Sequence, residues 1–142
     1  MDSHIQNSIL NATGADDLFK VSAIQSLWSG YGSIDRYGLN GAKMNSVVVK
    51  HVQLPQQSNH PRGWNTDHSH QRKVTSYQVE TRWYQNWAAR CNDHCRIPDC
   101  LALEDRDNEI LMVLEDLDSS GYPARKSRVT QDEIIVCLVW LA

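Results

Sequence analysis

The sequence has no surplus of positive charge: 14 Lys and Arg face 17 Asp and Glu, a formal net charge of −3 at pH 7. Nucleic acids and acidic membrane surfaces are recognised through a basic face that releases counterions, so neither is expected as a partner. Long hydrophobic runs are also missing, since no stretch approaches the roughly 20 apolar residues that cross a bilayer. Residues Met1 to Leu10 are polar where a signal peptide would carry a basic and then an apolar run, which points to a cytoplasmic protein. Cysteines are few, and a reducing compartment would leave Cys91, Cys95, Cys100 and Cys137 as thiols rather than as a disulfide framework. Internal repeats and low-complexity tracts are absent. What remains is 142 residues, 41% hydrophobic and 22% charged, a composition that suits one globular domain with its own core.

Residues Met1 to about Lys20 place Ile5, Ile9 and Leu10 at helical spacing among polar residues and read as a short helix or an arm. From Val21 the pattern changes. Ile24, Leu27 and Trp28, then Ser29-Gly30-Tyr31-Gly32-Ser33, then Ile34, Tyr37 and Leu39 predict two short strands joined by a glycine turn. Ser46-Val47-Val48-Val49-Lys50-His51-Val52 is rich in β-branched valine and predicts a strand. Gln53 to His70 is long and polar, with Pro55, Pro61 and Gly63, and predicts a loop. Gln71 to Arg90 repeats Val74, Tyr77, Thr81, Tyr84 and Ala88 at intervals of three and four, as an amphipathic helix requires. Leu101 to Glu104 and Glu109 to Glu115 predict a hairpin across Asp105 to Asn108. Thr130 followed by Glu133 opens a last helix with a capping box. That helix runs from Ile134 to Ala142 without a polar residue or a terminating device, so it is expected to be the start of an element that enters a further, missing lobe.

Five groups of residues could carry chemistry. Lys50 lies inside a valine strand, and an ammonium there must either snorkel to an edge or meet a carboxylate. Glu80, three residues after Tyr77 and four before Tyr84, shares the inward face of the helix and is the candidate partner. A lysine held in this way suits nucleotide phosphates; the plainer reading is a solvated lysine on a half-buried sheet. The backbone N–H groups and hydroxyls of the turn from Ser29 to Ser33 could cover phosphates, although the third glycine of a G-x-G-x-x-G loop is missing and an ordinary hairpin turn explains it as well. The acidic connector after Leu114, Glu115-Asp116-Leu117-Asp118, could offer backbone groups to a purine edge or could be a solvated strand end. Cys91, His94, Cys95 and Cys100 lack the repeated close pairs of a structural zinc site, so no metal site is expected. His60, His68 and His70, with Arg62, Trp64 and Asp67, could form a clamp or an ordinary polar loop.

The order of these pieces resembles the smaller, nucleotide-binding lobe of the protein-kinase-like fold. More closely, the chain resembles the ecdysteroid kinase-like group of small-molecule phosphotransferases, relatives of choline kinases and aminoglycoside phosphotransferases. The residues that carry the resemblance are Val47-Val48-Val49-Lys50, His60-Pro61-Arg62-Gly63-Trp64-Asn65, Ser69-His70-Gln71-Arg72-Lys73, Ser76-Tyr77-Gln78-Val79-Glu80, and Leu114-Glu115-Asp116-Leu117 with Gly121-Tyr122-Pro123. The match runs from about Ile24 to the last residue. It implies that Lys50 contacts the α and β phosphates of ATP and Glu80 holds it, that Gly30, Gly32 and Ser33 cover the nucleotide, and that the backbone of Glu115, Asp116 and Leu117 meets adenine. It also implies a catalytic aspartate and Mg2+ ligands from a second, larger lobe, because no His-Gly-Asp-like loop occurs here.

The expected architecture is thus α+β, a five-stranded antiparallel sheet with one main packed helix and a C-terminal apolar helix. Residues 1–20 form an arm or short helix, 21–128 the nucleotide-binding lobe, and 129–142 the start of a helix leading to the missing lobe. The full enzyme would transfer the ATP γ-phosphate to a hydroxyl acceptor on a small molecule, and the chain alone would be inactive. The alternative is a non-enzymatic nucleotide- or partner-binding remnant that associates, with itself or with a partner, through its apolar C-terminal helix.

Overall fold

The computed structural model describes residues 2–27, 30–54 and 67–141. Trp28, Ser29 at the start of the glycine turn, and the stretch 55–66 with His60, Arg62 and Trp64 lie outside the described residues. Among those described, five strands make one sheet: β1 (Asp17–Ser26), β2 (Gly32–Asn40), β3 (Ser46–Gln53), β4 (Cys100–Arg106) and β5 (Glu109–Glu115). Their order is β1-β2-β3-β5-β4, antiparallel at every pairing. Three α-helices accompany the sheet: α1 (Ser3–Thr13), α2 (Asp67–Asn86) and α3 (Gln131–Leu141).

Alternation along the strands divides the sheet into two apolar faces. Val47 and Val49 of β3, with Leu111 and Val113 of β5, join Leu18, Tyr37 and Leu39 on one face. Ile5 and Ile9 of α1 close over them, Ile9 with no exposed surface. Val52 of β3, with Ile110 and Met112 of β5, looks the other way, toward Tyr77 and Tyr84 of α2. A single packed helix was the expectation from sequence. The sheet is instead covered on both sides, because valine-rich strands with two apolar faces leave neither to water.

The N-terminal segment is a capped helix rather than an arm. The Asp2 carboxylate accepts the His4 N–H at 2.8 Å, and Gly14, in the left-handed region at φ +67°, donates its N–H to the Leu10 carbonyl at 2.8 Å. β1 then starts at Asp17, ahead of the change in pattern at Val21. At the other end of the fold, α2 stops at Asn86; Trp87 leaves helical geometry at φ −124°, and Ala88–Arg90 form a separate 3-10 turn. The β4–β5 hairpin turns on Asp107 and Asn108, with Asp107 at φ +47°. The capping box of α3 is formed: Thr130 donates its N–H to Glu133 Oε2 at 2.8 Å, and Glu133 donates its own to Thr130 Oγ1 at 3.4 Å. Beyond that box α3 is apolar and exposed on all sides, Val136 at 68%, Val139 at 71% and Leu141 at 69%. No helix among the described residues is long and apolar enough to cross a membrane.

Candidate functional site

Lys50 stands in the middle strand, in register between Ile34 of β2 and Met112 of β5. With apolar neighbours on either side, its ammonium reaches outward to α2. There Nζ pairs with Glu80 Oε2 and lies 5.2 Å from the centre of the Tyr77 ring. The Lys50 side chain is only 13% exposed and that of Glu80 35%. Tyr77, Glu80 and Tyr84 come to the sheet together because they are three and four residues apart. Burial pushes the Tyr84 phenol up to about 12 and raises that of Tyr77 as well, so both flank the ion pair as neutral hydroxyls.

The two glycines of the turn have different causes. A Cβ on Gly32 (φ +141°) would stand 1.9 Å from the His51 carbonyl oxygen, so the close approach of β2 to β3 demands glycine. Gly30 (φ +71°) has open space beside it, and only its left-handed backbone favours glycine. Its N–H is engaged by the Leu27 carbonyl at 3.2 Å. Tyr31, between them, turns toward α2: its hydroxyl is 2.8 Å from His70 Nδ1, and the Lys73 ammonium lies 5.4 Å from its ring centre. The turn is thereby fastened to the helix that carries Glu80. Ser33 stands apart. It pairs in register with His51, one residue out of step with Lys50, so its side chain lies on the opposite face and donates to Asp35 Oδ2 at 2.8 Å.

Val48 and Leu114, a cross-strand pair, make a partly buried apolar strip between Lys50 and the connector Glu115-Asp116-Leu117. The connector is held by arginines from two directions. Arg96 donates to both carboxylate oxygens of Glu115, at 2.5 and 2.6 Å, and the Glu115 N–H donates to the Asp99 carbonyl at 2.8 Å. Arg36 of β2 reaches Asp116 through Nε at 2.8 Å and Nη2 at 3.1 Å, and pairs with Asp118 as well. Ser46 adds a hydrogen bond to Asp116 Oδ2 at 2.6 Å. Burial pushes the Asp116 carboxyl up, yet the bonds from Ser46 and Arg36 and the guanidinium charge outweigh it, and the group titrates below its usual range. Burial likewise pushes the Glu115 carboxyl up, and the bonds from Arg96, Ser120 and the Asp99 N–H outweigh it, so that group is also lowered. The Leu117 carbonyl accepts the Tyr122 N–H at 2.8 Å, closing the turn that follows. A cleft of about 390 Å³ opens beside the connector, lined by Lys43, Asn45, Asp99, Glu115 and Asp116 among others, and does not include Lys50 or Glu80.

Sequence reasoning passed over Arg36 and Arg96. The signal for Arg36 was present: a charged residue in a half-buried strand needs a carboxylate, the argument that pairs Lys50, and Asp116 and Asp118 supply it. Among the described residues no group of three or more His, Cys, Asp and Glu side chains is placed to hold a metal ion. In comparisons with known proteins, neither a family model nor a curated protein matches the chain.

Proposed function

We propose that the chain is the nucleotide-binding N-terminal part of a kinase-like phosphotransferase, one that moves the γ-phosphoryl group of ATP to a hydroxyl of a small molecule. One observation carries the reading: the Lys50–Glu80 ion pair, set among apolar strand neighbours under α2. Partly buried ion pairs are poor stabilisers beside a packed apolar residue, so a role for the ammonium accounts for this one better than stability does. Lys50 would neutralise phosphate charge while Glu80 fixes its direction, and the turn at Gly30 and Gly32 would lie over the phosphates. The Val48–Leu114 strip gives a purine an apolar bed leading to the Glu115–Leu117 backbone. Magnesium would supply further charge neutralisation, with its ligands and the catalytic aspartate drawn from a second lobe. The test is calorimetric titration of the chain with Mg-ATP beside Lys50→Ala. Loss of a charge-assisted bond of about 2 kcal/mol should weaken binding roughly thirtyfold; equal binding by both proteins would remove the proposal.

The exposed apolar surface of α3 favours a second reading, a non-enzymatic chain that binds a partner or a second copy of itself through that helix. Sizing chromatography separates the two. A monomer at all concentrations argues against self-association, whereas a dimer dispersed by Val139→Glu argues for it.

A further inference from the structure

Between α2 and β4 the chain makes two short 3-10 turns, Ala88–Arg90 and Asp93–Cys95, and a cysteine closes each. The Cys91 N–H donates to the Ala88 carbonyl at 3.0 Å. Asn92 caps the second turn, its side chain accepting the His94 N–H at 2.9 Å, and the Cys95 N–H returns to the Asn92 carbonyl at 3.0 Å. The Cys95 sulfur folds back as well: Sγ accepts the Asn92 N–H at 3.3 Å, against the peptide that joins Cys91 to Asn92. Both thiols are partly exposed. Burial pushes the Cys91 thiol above its ordinary value, and the neighbouring Cys95 adds to the rise. Cys100 is engaged elsewhere, with the Ala102 carbonyl at 3.5 Å, and Cys137 is exposed on α3, the helix that approaches the second turn.

We propose that Cys91 and Cys95 are a dithiol pair that closes into an intramolecular disulfide when the folded chain meets a low-molecular-weight disulfide such as oxidised glutathione. One cysteine thiolate attacks the small disulfide, breaking its S–S bond; a mixed disulfide forms and the first small thiolate leaves. The second cysteine, as thiolate, attacks the protein-side sulfur of that mixed disulfide, and the second small thiolate leaves. Two protein thiols lose two electrons, the external disulfide gains them, and the two departing thiolates take up the two protons. Arg96 follows Cys95 directly and grips both carboxylate oxygens of Glu115, so the bridge locks the turn that presents this clamp. The inference stands apart from the nucleotide reading.

The sequence supplies the readout. Arg90 and Arg96 flank the pair, so trypsin releases residues 91–96 as one peptide with both of these cysteines and no other. The folded chain is incubated with oxidised glutathione, its free thiols are alkylated, and it is digested without reductant. The expected product is the 91–96 peptide, not alkylated and two hydrogens lighter than its dithiol form, reverting with dithiothreitol. In Cys95→Ser the expected product is instead a lasting glutathione adduct on Cys91. A wild-type peptide alkylated at both positions, one that keeps glutathione on either cysteine, or one bridged to the Cys100 peptide would each overturn the proposal.

Discussion

Single side chains decide which parts of the site belong together. Lys50 and Glu80 could be matched from sequence because each posed a local problem, an ammonium among valines and a carboxylate on an aromatic helix face, and each solves the other's. Ser33 could not be placed that way. In a strand a step of one residue reverses the face, and only the register with His51 shows that Ser33 points away from Lys50. Gly32 looked like a phosphate-binding glycine, yet the His51 carbonyl oxygen already explains it. Gly32→Ala should therefore destabilise the chain by about 1–3 kcal/mol, from overpacking and backbone strain, whether or not ATP is present. Gly30→Ala, with open space around it, should cost less, only about 1 kcal/mol for its left-handed backbone. Urea denaturation of the two variants side by side checks the ranking.

Elements were legible where their periodicity was strong. The valine strand, the β4–β5 hairpin, the core of α2 and the α3 capping box all follow patterns spanning only a few residues. α1 was harder to read, because its inward face rests on little more than Ile5 and Ile9 and its worth depends on strands far along the chain. Ile9→Ala should lower stability by roughly 2–5 kcal/mol, a core cost that an arm would not show in the same denaturation measurement. The connector after β5 depends on Arg36 in a similarly non-local way. Arg36→Ala leaves Asp116 buried without its guanidinium and should cost about 3–5 kcal/mol. The pH dependence follows from the lowered Asp116 and Glu115 carboxyls. The unfolded chain takes up their protons first, near the ordinary values of 3.8 and 4.5, and the folded chain only at lower pH. Their stabilisation is therefore present above that range and lost as pH falls through the folded values. In Arg36→Ala burial raises the Asp116 carboxyl with no guanidinium to lower it, so the acid-side fall should be shallower than in the unaltered chain, as denaturation midpoints followed downward from neutrality will record.

At the scale of the whole molecule, the sheet separates two environments. One face is sealed by α1 and is apolar at its centre; the other combines a lysine, its glutamate, a glycine turn tied down through Tyr31 and His70, and a connector pinned by two arginines. The α+β class and the five antiparallel strands were legible because hairpin-length segments announce themselves one by one. The second covered face was not, since it depends on which distant helix meets which side. The central claim is that the α2 face receives a nucleotide, and amide resonances of the isotope-labelled chain titrated with Mg-ATP test it most directly. Shifts at Gly30, Lys50, Glu80 and Leu117, absent in Lys50→Ala, with Ile9 and Val47 on the α1 face unmoved, are the predicted result. Shifts confined to the α1 face, or none at millimolar nucleotide, would contradict the account.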